Sequence, residues 1–204
     1  MLTLFIIGLT GIVSFLCFND PVLKQKLLLY PYDMVRNNNY YRFISSGFVH
    51  ADWMHLLFNM WALYLFGGMV ESRFGEYFGG MGITLYLLLY FGGMVAASSV
   101  SFMNHRENPA YRALGASGAV SAVLFVAIVF DPWMSLIIFP IPIPMPAIVL
   151  GIAYLAYSYW AAKQGRDNIG HDAHFYGALF GVLFIIAFRY ETAIEFWNQL
   201  MGKF

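Results

Sequence analysis

Charge is what this chain has least of. Only 11% of its 204 residues are Asp, Glu, Lys or Arg, and 11 basic residues balance 11 acidic ones to a formal net charge of zero. Nothing in that balance points to nucleic acid or to an acidic partner. Cysteine is almost missing too. The single thiol, Cys17, excludes an internal disulfide and any cysteine-based metal site, and it lies inside an apolar run where packing accounts for it. The polar/apolar alternation of a membrane barrel is also lacking. What fills the chain instead is hydrophobic residues, 60% of the total, with aromatics at 19%. That is more apolar surface than a water-facing domain of this size needs.

A helix needs roughly 20 mostly apolar residues to cross a bilayer. Reading for such runs gives 2–18, 53–70, 78–102, 115–130, 147–162 and 173–189. In lipid every backbone group must bond within its own segment, so these runs predict six transmembrane helices, an all-α polytopic protein. The first run has no basic leader and no small-residue cleavage site before Asn19-Asp20-Pro21, which predicts a retained span. No soluble domain flanks the six, so 1–204 is expected to be one membrane domain.

The connections differ in character. Residues 19–52 hold Pro21, Lys24, Lys26, Tyr30, Pro31, Asp33, Arg36, three consecutive asparagines and Tyr40-Tyr41-Arg42-Phe43. That mixture predicts a structured, amphipathic insertion at headgroup level. Residues 104–114 and 163–170 are short and polar, and both are expected to rim a cavity. The stretch 131–146 ends in alternating prolines from Pro140 to Pro146, which cannot continue a helix and predict an extended, rigid segment. Counting basic residues alone puts the long 19–52 connection in the cytoplasm.

Polar groups at membrane depth are costly and read as functional by default. His55 and Asn59 are four apart and share one helix face. Interhelical hydrogen bonding would account for either alone; two donors on one face also make a cradle for negative charge. Gly115-Ala116-Ser117-Gly118 opens the fourth span. Small residues there permit close helix approach, but a serine at a helix start also meets free N–H groups and the positive end of the dipole. In the sixth span Gly177 and Gly181 permit tight contact with a neighbour, and His174 lies on the turn before Gly177. If that neighbour is the fourth span, the Ser117 hydroxyl comes within reach of the imidazole. His171 reads as a rim residue. Asp172, two residues from His174, is poorly placed to orient it, so a dyad is expected and not a triad.

Taken together, these features resemble the rhomboid family of intramembrane serine proteases over essentially the whole chain. The family's histidine-rich second span is matched by His50, His55 and Asn59, followed by Gly67-Gly68-Met69-Val70-Glu71. Its Gly-x-Ser-Gly is matched by Gly115–Gly118, and its Ala-His-x-x-Gly-x-x-x-Gly by Ala173–Gly181. The resemblance implies Ser117 as nucleophile and His174 as general base and acid. It implies His55, Asn59 and the Ser117 backbone N–H as the oxyanion hole, with His50, Arg42, Gly115, Gly118, Gly177 and Gly181 in support. It further implies cleavage of other proteins' transmembrane segments in the lipid bilayer, near their extracytoplasmic end and usually after a small residue, with no metal and no cofactor. The termini would be cytoplasmic, in a bacterial plasma membrane, and the site would open to the extracytoplasmic side. Two positions depart from the family's pattern. Tyr41-Arg42 stands where many members have Trp-Arg. Ser121 stands where many members place an aromatic that packs on the catalytic histidine, so either its hydroxyl bonds the imidazole or another aromatic fills the space.

Three other readings of the chain are a catalytically inactive protein of the same fold that binds membrane clients, a haem protein with His55 and His174 as axial ligands, and a channel or transporter. The intact serine and histidine disfavour the first, and the serine motif is unexplained by the second. The third lacks an inverted repeat or charged pathway.

Overall fold

A computed structural model describes residues 1–138, 141–164 and 171–202, with backbone alone at 138, 141–142, 161–164 and 171–172. The chain is mostly helical. In order it forms α1 (Leu2–Asn19), α2 (Pro21–Leu27), α3 (Pro31–Asn37), α4 (Arg42–Ser45), α5 (Trp53–Phe78), α6 (Gly82–His105) and α7 (Ser117–Phe130). A hairpin of β1 (Ser135–Ile138) and β2 (Ile141–Pro146) follows, then α8 (Ala147–Gln164), α9 (His171–Phe188) and α10 (Glu191–Leu200). By length and composition, Leu2–Asn19 and the stretch Trp53–His105 are apolar enough to cross a membrane. So is the pair Ala173–Phe188 and Glu191–Leu200, which bends by 115° at its break, while Ser117–Phe130 and Ala147–Trp160 are shorter apolar helices.

The six apolar runs fall on α1, α5, α6, α7, α8 and α9. Helix α7 is the centre. Eleven of its 14 residues are buried, so it is walled on nearly all sides, by α5, α6 and α9 above all. Helices α5 and α6 form one hairpin. Gly79, at φ +54°, breaks the helical path where a side chain would be strained, and Gly82 then approaches the Phe74 carbonyl so closely that a Cβ would stand 2.6 Å from it. Helix α1 closes the other side. Its first N–H groups, at Leu2 and Thr3, donate to the two oxygens of Glu71 on α5 at 2.7 and 2.9 Å, so a neighbouring helix supplies its N-terminal cap.

One expectation needs correction. The protein is not purely α-helical, because the proline-rich stretch is one strand of an antiparallel hairpin, with Ser135 opposite Pro146 and Leu136 opposite Met145. Strand and proline repeat share the same period of two, and Pro142, Pro144 and Pro146 have no N–H to donate, which an edge strand tolerates. The sixth run, expected over 173–189, ends as a helix at Phe188. Arg189 turns the chain, donates twice to Glu195 at 2.7 Å, and stacks over Tyr77, fixing α10 at its sharp bend.

The connection from 19 to 52 is built around Arg42, which is buried at 6% exposure. Its guanidinium donates to the carbonyls of Gln25 and Leu28 at 2.8 and 2.7 Å and pairs with Asp33 at 3.1 Å. The side chains of Asn39 and Asn37, with the Arg42 charge, hold the Asp33 carboxyl below its ordinary value. A depressed carboxyl stabilises the fold fully above its unfolded pKa, near 4, and this contribution fades as pH falls through the folded value. Lysine keeps the charge of Arg42 but not its fork. Arg42→Lys is therefore expected to destabilise the protein by about 1–3 kcal/mol in a denaturant titration at pH 7, through carbonyls left unpaired. The gap between variant and parent should narrow below about pH 4.

Candidate active site

The segment leading into α7 is fastened to the 19–52 insertion along its length, and just before the helix by backbone N–H groups. Leu29 and Ala113 exchange N–H···O bonds at 2.8 and 3.1 Å, Gly115 N–H donates to the Ser46 carbonyl at 3.0 Å, and Ala116 N–H reaches His50 Nε2 at 3.4 Å. His50 is fully buried, and its Nδ1 lies 2.9 Å from the Ser14 hydroxyl. Because Ser14 donates its own proton to the Phe48 carbonyl, Nδ1 of His50 carries the hydrogen and Nε2 is the acceptor for Ala116. Burial, and next the neighbouring His55, push its pKa well below the usual histidine range, in keeping with this neutral form. His50 thus positions the loop before Ser117.

Gly115 has two reasons to be glycine. Its φ is +116°, and a Cβ there would stand 2.7 Å from His55 Cε1 and 2.9 Å from Nε2. The His55 ring therefore lies against the backbone just before Ser117. Its Nδ1 accepts the Ala51 N–H at 3.4 Å, which leaves the hydrogen on Nε2, the nitrogen facing Gly115. Asn59, one turn further along α5, donates one amide hydrogen to the His55 carbonyl at 2.9 Å and keeps a second. Ser117 is the first residue of α7, whose helical bonding begins with Val120 N–H donating to the Ala116 carbonyl at 2.9 Å. The N–H groups of the turn before it have no partner within the helix.

Helix α9 meets α7 through glycine. A Cβ on Gly177 would overlap the Gly118 carbonyl, and one on Gly181 the Ala122 carbonyl, so the two backbones are in direct contact. The Ala173 carbonyl lies 3.5 Å from the position of a Cβ on Gly118. Ser117 and His174 adjoin these contact points. With His55 and Asn59 they line one cavity of about 1370 Å³, whose wall also includes residues from Ala110 to Gly115. The expectation that 104–114 rims a cavity is met on that side; 165–170 and the side chains of His171 and Asp172 lie outside the described residues.

The space left by Ser121 is filled from elsewhere. Tyr154, on α8, stacks on the His174 ring with centroids 5.7 Å apart and planes 20° from parallel, and its hydroxyl lies 3.0 Å from that of Ser121. Reasoning from the sequence missed Tyr154 itself. Of the two alternatives that the missing aromatic at 121 left, the second holds, with another aromatic filling the space.

A sequence model of the family described as the Rhomboid domain matches residues 37–191. The chain is 30% identical over 169 residues to the RHOMBOID-like protein 12, mitochondrial, of Arabidopsis thaliana, covering 79% of this chain and 50% of that protein. It is 31% identical over 161 residues to the Rhomboid-like protein 11, chloroplastic, of the same plant, covering 72% and 51%. The Rhomboid protease GlpG of Haemophilus influenzae is 29% identical over 168 residues, covering 81% and 78%. The chain thus spans about half the length of the two plant relatives.

Proposed function

Because this chain belongs to the rhomboid family, an integral membrane family, we propose that it is an intramembrane serine endopeptidase that cuts peptide bonds in or next to transmembrane segments of other membrane proteins. The observation that carries this reading is the single cavity onto which Ser117, His174, His55 and Asn59 all open, at the N-terminus of the central helix. In this reading all six apolar helices cross the bilayer, and the insertion between α1 and α5 lies at the interface. The membrane we assign is a bacterial plasma membrane, with the cavity opening to the extracytoplasmic side.

His174 takes the proton of the Ser117 hydroxyl as its oxygen attacks the scissile carbonyl, and returns it to the leaving amine. The oxyanion is met by the Ser117 backbone N–H, the Nε2–H of His55 and the free amide hydrogen of Asn59, all fixed before substrate arrives. Water then enters through the cavity and releases the acyl-enzyme, with His174 as base again.

Reconstitution in liposomes with a single-span substrate bearing small residues near its extracytoplasmic end tests the reading. One cut near that end, blocked by a serine-directed fluorophosphonate, is expected. Binding of the span without cleavage would overturn the enzyme reading in favour of client binding. In the same assay Asn59→Ala should slow turnover by about 10²-fold, the effect of losing one of several oxyanion donors. A loss equal to that of Ser117→Ala would contradict its role as auxiliary donor.

A further inference from the structure

Resting on the proposed function, we propose that Tyr154 is the positioning residue of the general base, so that His174 is aligned on Ser117 only while α8 is seated against α7. Three contacts point to this. Tyr154 lies offset-parallel to the His174 imidazole at 5.7 Å, the arrangement in which aromatic pairs attract and limit each other's rotation. Its hydroxyl is engaged with Ser121 at 3.0 Å, so the phenol is held by its far end. Its ring also packs on Phe125 at 6.3 Å.

Ser117, Ser121 and Phe125 are spaced by four and share one face of α7. The nucleophile and the anchor of Tyr154 therefore stand on the same rigid stripe, one turn apart. Measured from that stripe, the path runs from Ser121 to Tyr154, from the phenol ring to the imidazole, and so to the side of the cavity where Ser117 stands. Ser121 is 2% exposed, so with Tyr154 seated the bond between the two hydroxyls is shielded from bulk water. Tyr154 is carried by a helix other than those bearing Ser117 and His174. Displacement of α8 thus disorders the base by removing the stack on His174, and it couples the alignment of the site to the position of one wall of the cavity.

The test is steady-state cleavage in liposomes with the full chain. Tyr154→Leu, which keeps bulk but not the ring, is expected to lower kcat about 10²-fold with KM little changed, the cost of a misplaced reacting group. Tyr154→Phe keeps the stack but loses the Ser121 anchor, and its kcat should fall between those of wild type and Tyr154→Leu. Returning an aromatic to the neighbouring helix, in the double variant Ser121→Phe with Tyr154→Ala, should recover most of the activity lost in Tyr154→Ala alone. A merely structural tyrosine would not be replaced from another helix. Tyr154→Leu with unchanged kcat, or a double variant no better than Tyr154→Ala, overturns the inference while the protease reading stands. A wild-type chain that cuts nothing overturns the protease reading, and this inference with it.

Discussion

Ser117→Ala and His174→Ala should each lower cleavage of a single-span substrate by about 10⁴-fold or more, and the double variant should be no worse than either. The reason is that in the proposed mechanism the two side chains act as a unit. A serine hydroxyl near neutral pH is a weak nucleophile until a base removes its proton as it attacks, and an imidazole without a serine has nothing to activate. What survives in either variant is binding and the oxyanion donors, which still polarise a bound carbonyl toward water. Because His55, Asn59 and the start of α7 are held by contacts that involve neither residue, that remainder should be the same in both. Single-turnover rates would check it. Losses that multiply in the double variant would mean that Ser117 and His174 contribute independently, which a dyad does not allow.

Gly177→Val should damage both fold and site. The added Cβ falls on the Gly118 carbonyl, which is backbone and cannot rotate away, so α9 must move off α7. Overpacking of this severity is expected to cost about 3 kcal/mol or more. The movement occurs one turn from His174 and beside Ser117, so activity should fall about 10²-fold or more even in protein that remains folded. Gly8→Ala is the control. A Cβ on Gly8 in α1 meets nothing within 4 Å, and replacing a helical glycine there should leave stability unchanged or raise it by about 0.5–1 kcal/mol. Unfolding in a detergent titration separates the two. Equal stability for Gly177→Val and wild type would mean the α7–α9 contact is not tight.

Much of this was written in the chain, and the remainder was hidden for definite reasons. Lipid allows no unsatisfied backbone, so long apolar runs could only be helices. Their ends were less visible. The second run was expected to stop at 70, yet α5 continues to Phe78, because Glu71 is consumed by the start of α1 and Arg73 pairs with Glu76. A polar residue at a helix end looks like a loop until its partner is known. The glycines at 177 and 181 announced a close neighbour, and α7 is that neighbour, because spacing by four reports a surface that two helices share. The hairpin at 135–146 depends on a pairing partner, and a proline repeat alone does not name one. Tyr154 was hidden most deeply. Nothing in its own surroundings sets it apart from the other aromatics of α8, and only the small residue at 121, on another helix, makes room for it.

The most direct test needs no knowledge of the substrate. A fluorophosphonate reacts with a serine only when a base activates it and donors receive its oxygen, and mass spectrometry of the labelled chain locates the adduct. A single adduct on Ser117 is expected in the wild-type protein, and none in His174→Ala at the same exposure. An adduct on another residue, or equal labelling of Ser117 with and without His174, would contradict the dyad.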